Sequence, residues 1–126
     1  MIDEAEFYER AAEIIRQNGL HKNELWPGAG HQDIPFAYRL EDGLPAGYTQ
    51  GAPVCAWGAM YVAGGQMFPS EIDIVGKVSS LGRRMEIRVS NVQDITLWND
   101  RPERTQDEVV EEFLGLAKDI RNEATP

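Results

Sequence analysis

The stretch from Pro53 to Gly65, PVCAWGAMYVAGG, constrains the fold of this chain more than any other. Residues 54–63 contain no charged side chain and only one glycine, Gly58. A helix that is apolar on every side has to be buried, because none of its faces suits water. We therefore predict a central helix over 53–63, starting near Pro53 and ending at Gly64-Gly65, with the rest of the chain packed around it.

Residues 3–18 and 105–122 are predicted to form two amphipathic helices, since apolar side chains recur in both at helical spacing. Each begins with a capping pair, in which a side chain at the first position and a carboxylate three residues later satisfy free backbone N–H groups. The pairs are Asp3 with Glu6 and Thr105 with Glu108. The glycine after Asn18 predicts the end of the first helix.

Between these two helices, the spacing of apolar residues changes from helical over 70–81 to alternating over 83–89. Residues 70–81 are predicted to form a helix that Gly82 closes, and Gly76 weakens it by about 1 kcal/mol relative to alanine. Residues 83–89 alternate apolar and charged side chains, which predicts a short, half-exposed strand. Ser90 to Leu97 suggests one helical turn that leads into Trp98.

Residues 20–52 are rich in proline and glycine, which excludes long regular elements. Residues 34–40 could form a short strand or an irregular segment. A loop of this length in a compact domain is often functional. It holds four aromatic residues that we treat as a candidate interaction surface: Trp26, Phe36, Tyr38 and Tyr48.

These elements together predict one domain over residues 1–126, of the mainly α class. We expect a compact bundle of about four helices, with a minor component of short strands. The central helix over 53–63 would be clasped by three others, at 3–18, 70–81 and 105–122.

The net charge of −9 limits the classes of partner. The acids lie mainly on the two terminal helices, with no cluster of lysine and arginine, so we expect no direct contact with a nucleic-acid backbone. The acidic surface is either an ordinary solvated surface, or a face that meets a basic partner or mimics nucleic acid.

No apolar run reaches the length of a membrane span. One cysteine and an acidic N-terminus without a leader pattern predict a cytoplasmic protein.

Two motifs are distinctive: Cys55-Ala56-Trp57-Gly58-Ala59, and a segment from Trp98 to Thr105 that continues to Glu108-Val109. With their flanking helices they resemble a family of small uncharacterised proteins of actinobacteria and their bacteriophages, with the patterns C-A-x-G-A and W-N-D-x-x-x-R-T-x-x-E-V. The resemblance implies a helical fold and a bacterial or phage source, and no particular reaction. A phage-encoded member would act in the host cytoplasm, on a host or a phage protein.

The segment from Trp98 to Thr105 also has a physical interpretation of its own. The ring of Trp98 can anchor the loop, and Asn99 and Asp100 can accept backbone N–H bonds in a tight turn. Arg104 could pair with Asp100 across that turn. The functional alternative is that Asn99, Asp100 and Arg104 line a polar binding pocket beside the central helix.

Cys55 is the one candidate nucleophile. A thiol at a helix N-terminus can have a lowered pKa, with His21 or His31 as base and Asn99 or Asp100 to orient it. Against this, its apolar neighbours would raise the thiol pKa, and a lone cysteine in an apolar helix usually belongs to the core. His31 and Asp100 therefore stay secondary catalytic candidates beside Cys55.

The sequence predicts no metal site and no cofactor, because the two histidines and one cysteine lack ligand spacing and no phosphate-binding loop is present. The function most consistent with these observations is a non-enzymatic module that binds an unidentified protein. A thiol-dependent enzyme using Cys55 and an acidic nucleic-acid mimic are the alternatives. The oligomeric state is left open.

Overall fold

The computed structural model describes residues 3–29, 37–68, 70–90 and 94–123. These residues form a helical bundle in which almost no β-structure occurs, and the prediction of a mainly α fold is confirmed. The helices, in chain order, are α1 (Glu4–Asn18), α2 (Ala56–Met67), α3 (Glu71–Ser90), α4 (Ile95–Asn99) and α5 (Gln106–Glu123).

The two terminal helices begin as their capping pairs predict. Asp3 is the N-cap of α1, and its carboxylate accepts from the backbone N–H of Glu6 at 3.1 Å. Thr105 and Glu108 form a reciprocal capping box before α5: the Thr105 N–H donates to the Glu108 carboxylate at 2.9 Å, and the Glu108 N–H donates to the Thr105 hydroxyl at 3.2 Å.

Helix α2 is the buried central helix, but it lies a few residues later than 53–63. Cys55 is its N-cap, so Pro53 precedes the helix, and the helix continues through Gly64 to Met67. Gly64 does not end the helix but lies inside it. At this position a Cβ would overlap the side chain of Val78 on α3. The glycine therefore serves close packing between two helices and not a stop.

Helix α3 is much longer than the predicted 70–81, and the predicted strand over 83–89 is wrong. Gly82 lies inside the helix, where the ring of Trp57 from α2 occupies the space that a side chain would need. Met85 is fully buried while Ile87 is exposed, which is the result of helical geometry and not of strand alternation. The short helix α4 is capped by Asp94, and not by Ser90.

The helices pack in a sequence of pairs. Helix α1 packs on both α2 and α5, and α2 packs on α3. Helix α5 packs chiefly on α1 and has few contacts with α2, so the expectation that 105–122 clasps the central helix needs correction. Helix α4 fits between α2 and α3.

The irregular segments follow the bundle closely. Leu20 forms an isolated parallel bridge with Val54, which brings the end of α1 beside the start of α2. Tyr38 forms an isolated antiparallel bridge with Pro45. Of the strand considered over 34–40, residues 34–36 lie outside the described part of the chain, and the rest contributes only this bridge.

A pair of matched glycine substitutions tests the packing of α2. At Gly58 a Cβ would overlap the backbone carbonyl of Leu25, whereas at Gly76, on the exposed side of α3, it would meet nothing within 4 Å. We expect Gly58→Ala to lower the free energy of unfolding by about 1–3 kcal/mol, because backbone must move. Gly76→Ala should raise it by about 1 kcal/mol through helix propensity. Chemical denaturation of both variants measures this, and equal effects would contradict the packing described.

Candidate functional site

The amide of Asn99 is the centre of a polar region beside α2, and Asn99 is 1% exposed. Its Oδ1 accepts from the backbone N–H of Ala56 at 3.0 Å, and its Nδ2 donates to the carbonyl of His21 at 3.1 Å. The same Nδ2 lies 3.0 Å from a carboxylate oxygen of Asp100. One buried side chain thus joins the start of α2, the end of α4 and the segment after α1.

Asp100 continues this junction toward the surface. Its carboxylate accepts from the backbone N–H of Asn23 at 2.9 Å, where Asn23 adopts a positive φ of 71°. The ammonium of Lys22 donates to the carbonyl of Arg101 at 2.6 Å. These bonds fasten the segment after α1 to the turn after α4, as expected from the turn-forming role of asparagine and aspartate.

Arg104 does not pair with Asp100 across the turn, which corrects the sequence-based expectation. Its guanidinium stacks over the ring of Trp98, with Cζ 4.3 Å from the ring centroid, and its Nε donates to the Trp98 carbonyl at 3.1 Å. Its Nη1 lies 2.9 Å from the carboxylate of Glu108. The reason is local: Asp100 is already engaged by Asn23, and the capping box brings Glu108 within reach of Arg104.

Of the three residues from which a polar pocket is predicted, Asn99 and Asp100 hold the segment after α1, whereas Arg104 turns to Trp98 and Glu108. A cleft of about 390 Å³ does lie beside Arg104, between the end of α3 and the start of α5. Neither Asn99 nor Asp100 lines it. Its lining residues are Arg88, Val89, Trp98, Arg104, Glu108, Glu111 and Glu112.

Both arginines of this cleft already hold carboxylates. Arg88 pairs with Asp119 at 2.6 Å and with Glu112 at 3.4 Å, and Arg104 pairs with Glu108. An anion that entered the cleft would have to displace one of these carboxylates. The charged side chains that line the cleft thus form a network of ion pairs and hydrogen bonds that connects α3 and α4 to α5.

Cys55 occupies a structural position. Its side chain is 4% exposed, and its Sγ accepts from the N–H of Gly58 at 3.4 Å, which caps α2. Burial raises the pKa of the thiol to about 12, and the nearby charge of Asp100 acts in the same direction. A thiol with such a pKa is protonated at neutral pH and is a poor nucleophile.

The proposed partners of the thiol do not assemble around it. The ring of His21 has its Nε2 2.9 Å from the carboxylate of Glu24, and only its backbone carbonyl is bound by Asn99. Asn99 and Asp100 use their polar atoms to hold backbone groups. His31 lies outside the described residues. The described geometry therefore supports a capping role for Cys55 and gives no support to a catalytic constellation.

Three of the four aromatic side chains that the sequence suggests as an interaction surface belong to the core instead. Trp26, Tyr38 and Tyr48 are 3%, 8% and 1% exposed, so none of them offers a free face to a partner. Phe36 lies outside the described residues. The reason is that each tyrosine hydroxyl finds a carbonyl inside the molecule: Tyr38 donates to Tyr61 at 2.8 Å, and Tyr48 donates to Ala52 at 2.7 Å.

The exposed apolar side chains lie elsewhere and were missed by sequence reasoning. Among the described residues, the large hydrophobic side chains that face water are Leu40 (99%), Ile72 (86%), Leu97 (64%) and Ile87 (54%). Two of them lie on α3, on the side opposite to its buried residues. The helical spacing of apolar residues over the whole of 71–90 distinguishes the buried face from the exposed face. The sequence-based prediction divides this segment at Gly82, so the pattern is not recognised across it.

The acids of the terminal helices are largely matched by arginines. Arg121 on α5 pairs with Glu9 on α1 at 2.6 Å, and Arg84 on α3 pairs with Glu123 on α5 at 2.9 Å. Arg84 also approaches Glu4 at 3.7 Å. Such exposed pairs contribute little stability individually, but they interrupt the uniform array of negative charge that imitation of a nucleic-acid backbone would need.

Neither a membrane-spanning helix nor a metal site is formed by the described part of the chain. None of its helices is both long and apolar enough to cross a membrane. Within the same residues, no three histidine, cysteine or acidic side chains come together in a way that could hold a metal ion.

Comparison with known proteins yields a family and nothing more specific. A model described as a family of unknown function (DUF6197) matches residues 1–119, nearly the whole chain. No curated protein and no solved structure matches significantly.

Removal of the Asn99 amide should destabilise the fold. Asn99→Ala would leave the buried N–H of Ala56 and the carbonyl of His21 without partners, and each loss costs about 1–3 kcal/mol. We expect a decrease of about 2–4 kcal/mol in the free energy of unfolding. Leu97→Ala, on the exposed side of the same short helix, should change it by less than about 0.5 kcal/mol. Similar values for the two variants would contradict the role assigned to Asn99.

The thiol of Cys55 should react only when the protein opens. Because burial raises its pKa to about 12, the thiolate fraction stays small between pH 6 and 9 in the folded state. We expect labelling by a thiol reagent to be slow across that range and to become fast in denaturant. The same slow labelling is expected for His21→Ala. Rapid labelling of the native protein that disappears in His21→Ala would restore the catalytic hypothesis.

Proposed function

We propose that this chain, which belongs to the family of unknown function DUF6197, is a non-enzymatic module that works by binding another protein. The observation that supports this most directly is where the exposed apolar side chains lie. All four are on α3 or on a segment attached to one of its two ends. We call this set, Leu40, Ile72, Ile87 and Leu97, the α3 surface.

Hydrogen bonds hold the two outlying members beside α3. The backbone N–H of Tyr38 donates to the carboxylate of Glu71 at 3.1 Å, so the turn that carries Leu40 adjoins the first turn of α3. The backbone N–H of Ile95 donates to Glu86 at 3.1 Å, so the short helix that carries Leu97 adjoins the last turns of α3. Each of the four exposed apolar side chains therefore lies on α3 or on a segment that is hydrogen-bonded to α3.

Exposed hydrophobic residues scattered singly are normal, but a set gathered on one side of a monomer is typical of an interaction site. Burial of an isoleucine side chain against a partner contributes about 1.5–3 kcal/mol. Ile72 is 86% exposed and makes almost none of this contribution within the chain itself. Its contribution becomes available when a partner covers it.

The candidate chemistry offers less support for a reaction. The only thiol is buried and caps α2, and the amide of Asn99 is fully used in holding backbone groups. For the nucleic-acid mimic, the acids of α1 and α5 are interrupted by paired arginines. Binding through the α3 surface therefore stands ahead of both alternatives.

The nature and place of the partner belong to this proposal as well. The resemblance to small proteins of actinobacteria and their phages implies a partner among host or phage proteins, a set that includes a second copy of this chain. The single, reduced cysteine is consistent with action in the cytoplasm. No contact with nucleic acid or membrane is proposed.

Substitution of the two isoleucines tests the proposal. Ile72→Ser combined with Ile87→Ser should weaken binding of a protein partner at least about tenfold, because the apolar area that the partner covers is lost. Cross-linking in cells that make the tagged protein, followed by mass spectrometry, identifies the partner and compares the variants.

The matched control is Glu111→Ser combined with Lys118→Ser, which changes two exposed residues of α5. This variant should retain the partner, and both variants should unfold at the same denaturant concentration as the parent. Recovery of the same proteins in the same amounts with the isoleucine variant would refute the proposed function.

A further inference from the structure

The outer face of α3 is a continuous exposed stripe. Ile72, Gly76, Ser79, Arg83 and Ile87 follow one another at spacings of three or four residues, and all of them are exposed. Residues at these spacings lie on one side of a helix. The opposite side carries the buried residues of the helix: Ile74, Val78, Leu81 and Met85.

The side chains in the middle of this stripe are small and uncharged. Gly76 has open space where a side chain would be, and Ser79 and Ser80 are small. Small side chains allow a second helix to approach to the short end of the usual interaxial distances, about 8 Å. Apolar side chains stand at both ends of the stripe, so a partner helix that fits here offers isoleucine-sized groups at both of its own ends.

The stripe is complementary to itself when it is reversed. Ile72 and Ile87 lie the same number of positions before and after the midpoint between Ser79 and Ser80, and so do Gly76 and Arg83. In an antiparallel pair of identical helices centred there, each Ile72 meets an Ile87. Each long Arg83 side chain then lies over the space left by a Gly76. An isologous, two-fold interface requires this kind of self-complementarity.

The charges follow the same reversal. Glu71 and Asp73 lie in the first turn of α3, and Arg83 lies in its second half, where its side chain is 74% exposed. Antiparallel pairing brings Asp73 of each copy within reach of Arg83 of the other, and it also opposes the two helix dipoles favourably. Arg83 is only loosely held within its own chain, 3.9 Å from Glu86.

Three of the remaining charged groups of α3 are engaged within their own chain, away from the stripe. Arg84 and Arg88 turn away from the stripe to pair with Glu123 and Asp119 on α5. Glu86 is 16% exposed and accepts from the backbone of α4. Lys77 lies one turn after Asp73 on the same flank, so Arg83 of the other copy meets one negative and one positive side chain there.

We infer that α3 pairs antiparallel with α3 of a second copy of this chain, forming a two-fold symmetric dimer centred between Ser79 and Ser80. This inference rests on the proposed function, because it names the protein that covers the α3 surface. One helix from each copy buries less than a standard interface, so the dimer is reversible and depends on concentration.

Charge reversal at Asp73 and Arg83 tests the register directly. Arg83→Glu places this side chain against Asp73 of the other copy, and Asp73→Arg places two arginines together, so each single variant should dimerise about tenfold to a hundredfold more weakly. Sedimentation equilibrium over a range of concentrations measures this. A one-to-one mixture of the two variants should recover association, because both cross-pairs then join opposite charges.

A second variant acts at the symmetry centre and spares both charged residues. Ser79→Glu brings two carboxylates close together across the two-fold axis and should also abolish dimerisation. Lys118→Glu, on exposed α5, adds the same carboxylate elsewhere and should leave the dimer unchanged. Circular dichroism and denaturation confirm that each variant is folded like the parent.

The outcomes separate this inference from the function on which it rests. A parent protein that stays monomeric at high concentration, or single variants that dimerise normally, overturns the dimer. Failure of the mixture to associate overturns the antiparallel register. If the parent protein is monomeric but the variant with Ile72→Ser and Ile87→Ser no longer binds a different protein that the parent binds, the dimer is refuted and the proposed interaction function stands. If the substitutions change neither self-association nor binding of another protein, the dimer and the proposed function are both refuted.

Discussion

The buried amide of Asn99 is the contact on which the arrangement of this molecule depends most. A helix N-terminus leaves backbone N–H groups without intrahelical partners, and the sulfur of Cys55 satisfies that of Gly58. Asn99 satisfies the N–H of Ala56 and, with its other end, the carbonyl of His21. Because a planar amide has both functions in fixed geometry, the start of α2, the segment after α1 and α4 are positioned relative to one another.

The sequence predicts the terminal helices well and the middle of the chain poorly, and the difference has a physical cause. Capping pairs are local, so Asp3 and Thr105 mark helix starts without knowledge of the fold. Glycine is ambiguous, since it suits a helix end and also a close helical contact. Gly64 and Gly82 are of the second kind, and only the neighbours Val78 and Trp57 reveal this.

The candidate site shows the same limit. Side-chain chemistry correctly indicates that Asn99 and Asp100 hold backbone groups, but it cannot say which ones, because His21 and Asn23 lie more than seventy positions away in the sequence. The aromatic residues of 20–52 were expected outside, yet Tyr48 is 1% exposed. A tyrosine hydroxyl that reaches an internal carbonyl makes burial favourable, and composition does not reveal that partner.

The charge distribution of α3 bears on the proposal that its outer face meets a partner. Arg84 and Arg88, one turn apart on the same flank of α3, pair with carboxylates of α1 and α5 and strengthen the bundle there. The stripe beside that flank then has only Arg83 as a charged group. A solvent-facing helix without a partner usually carries charged residues on that face, whereas this one carries two isoleucines, which gain nothing from water, and a glycine, which lowers helix propensity. Residues of this kind, in an otherwise acidic and charge-rich chain, are what the proposed interaction would require of the face that it covers.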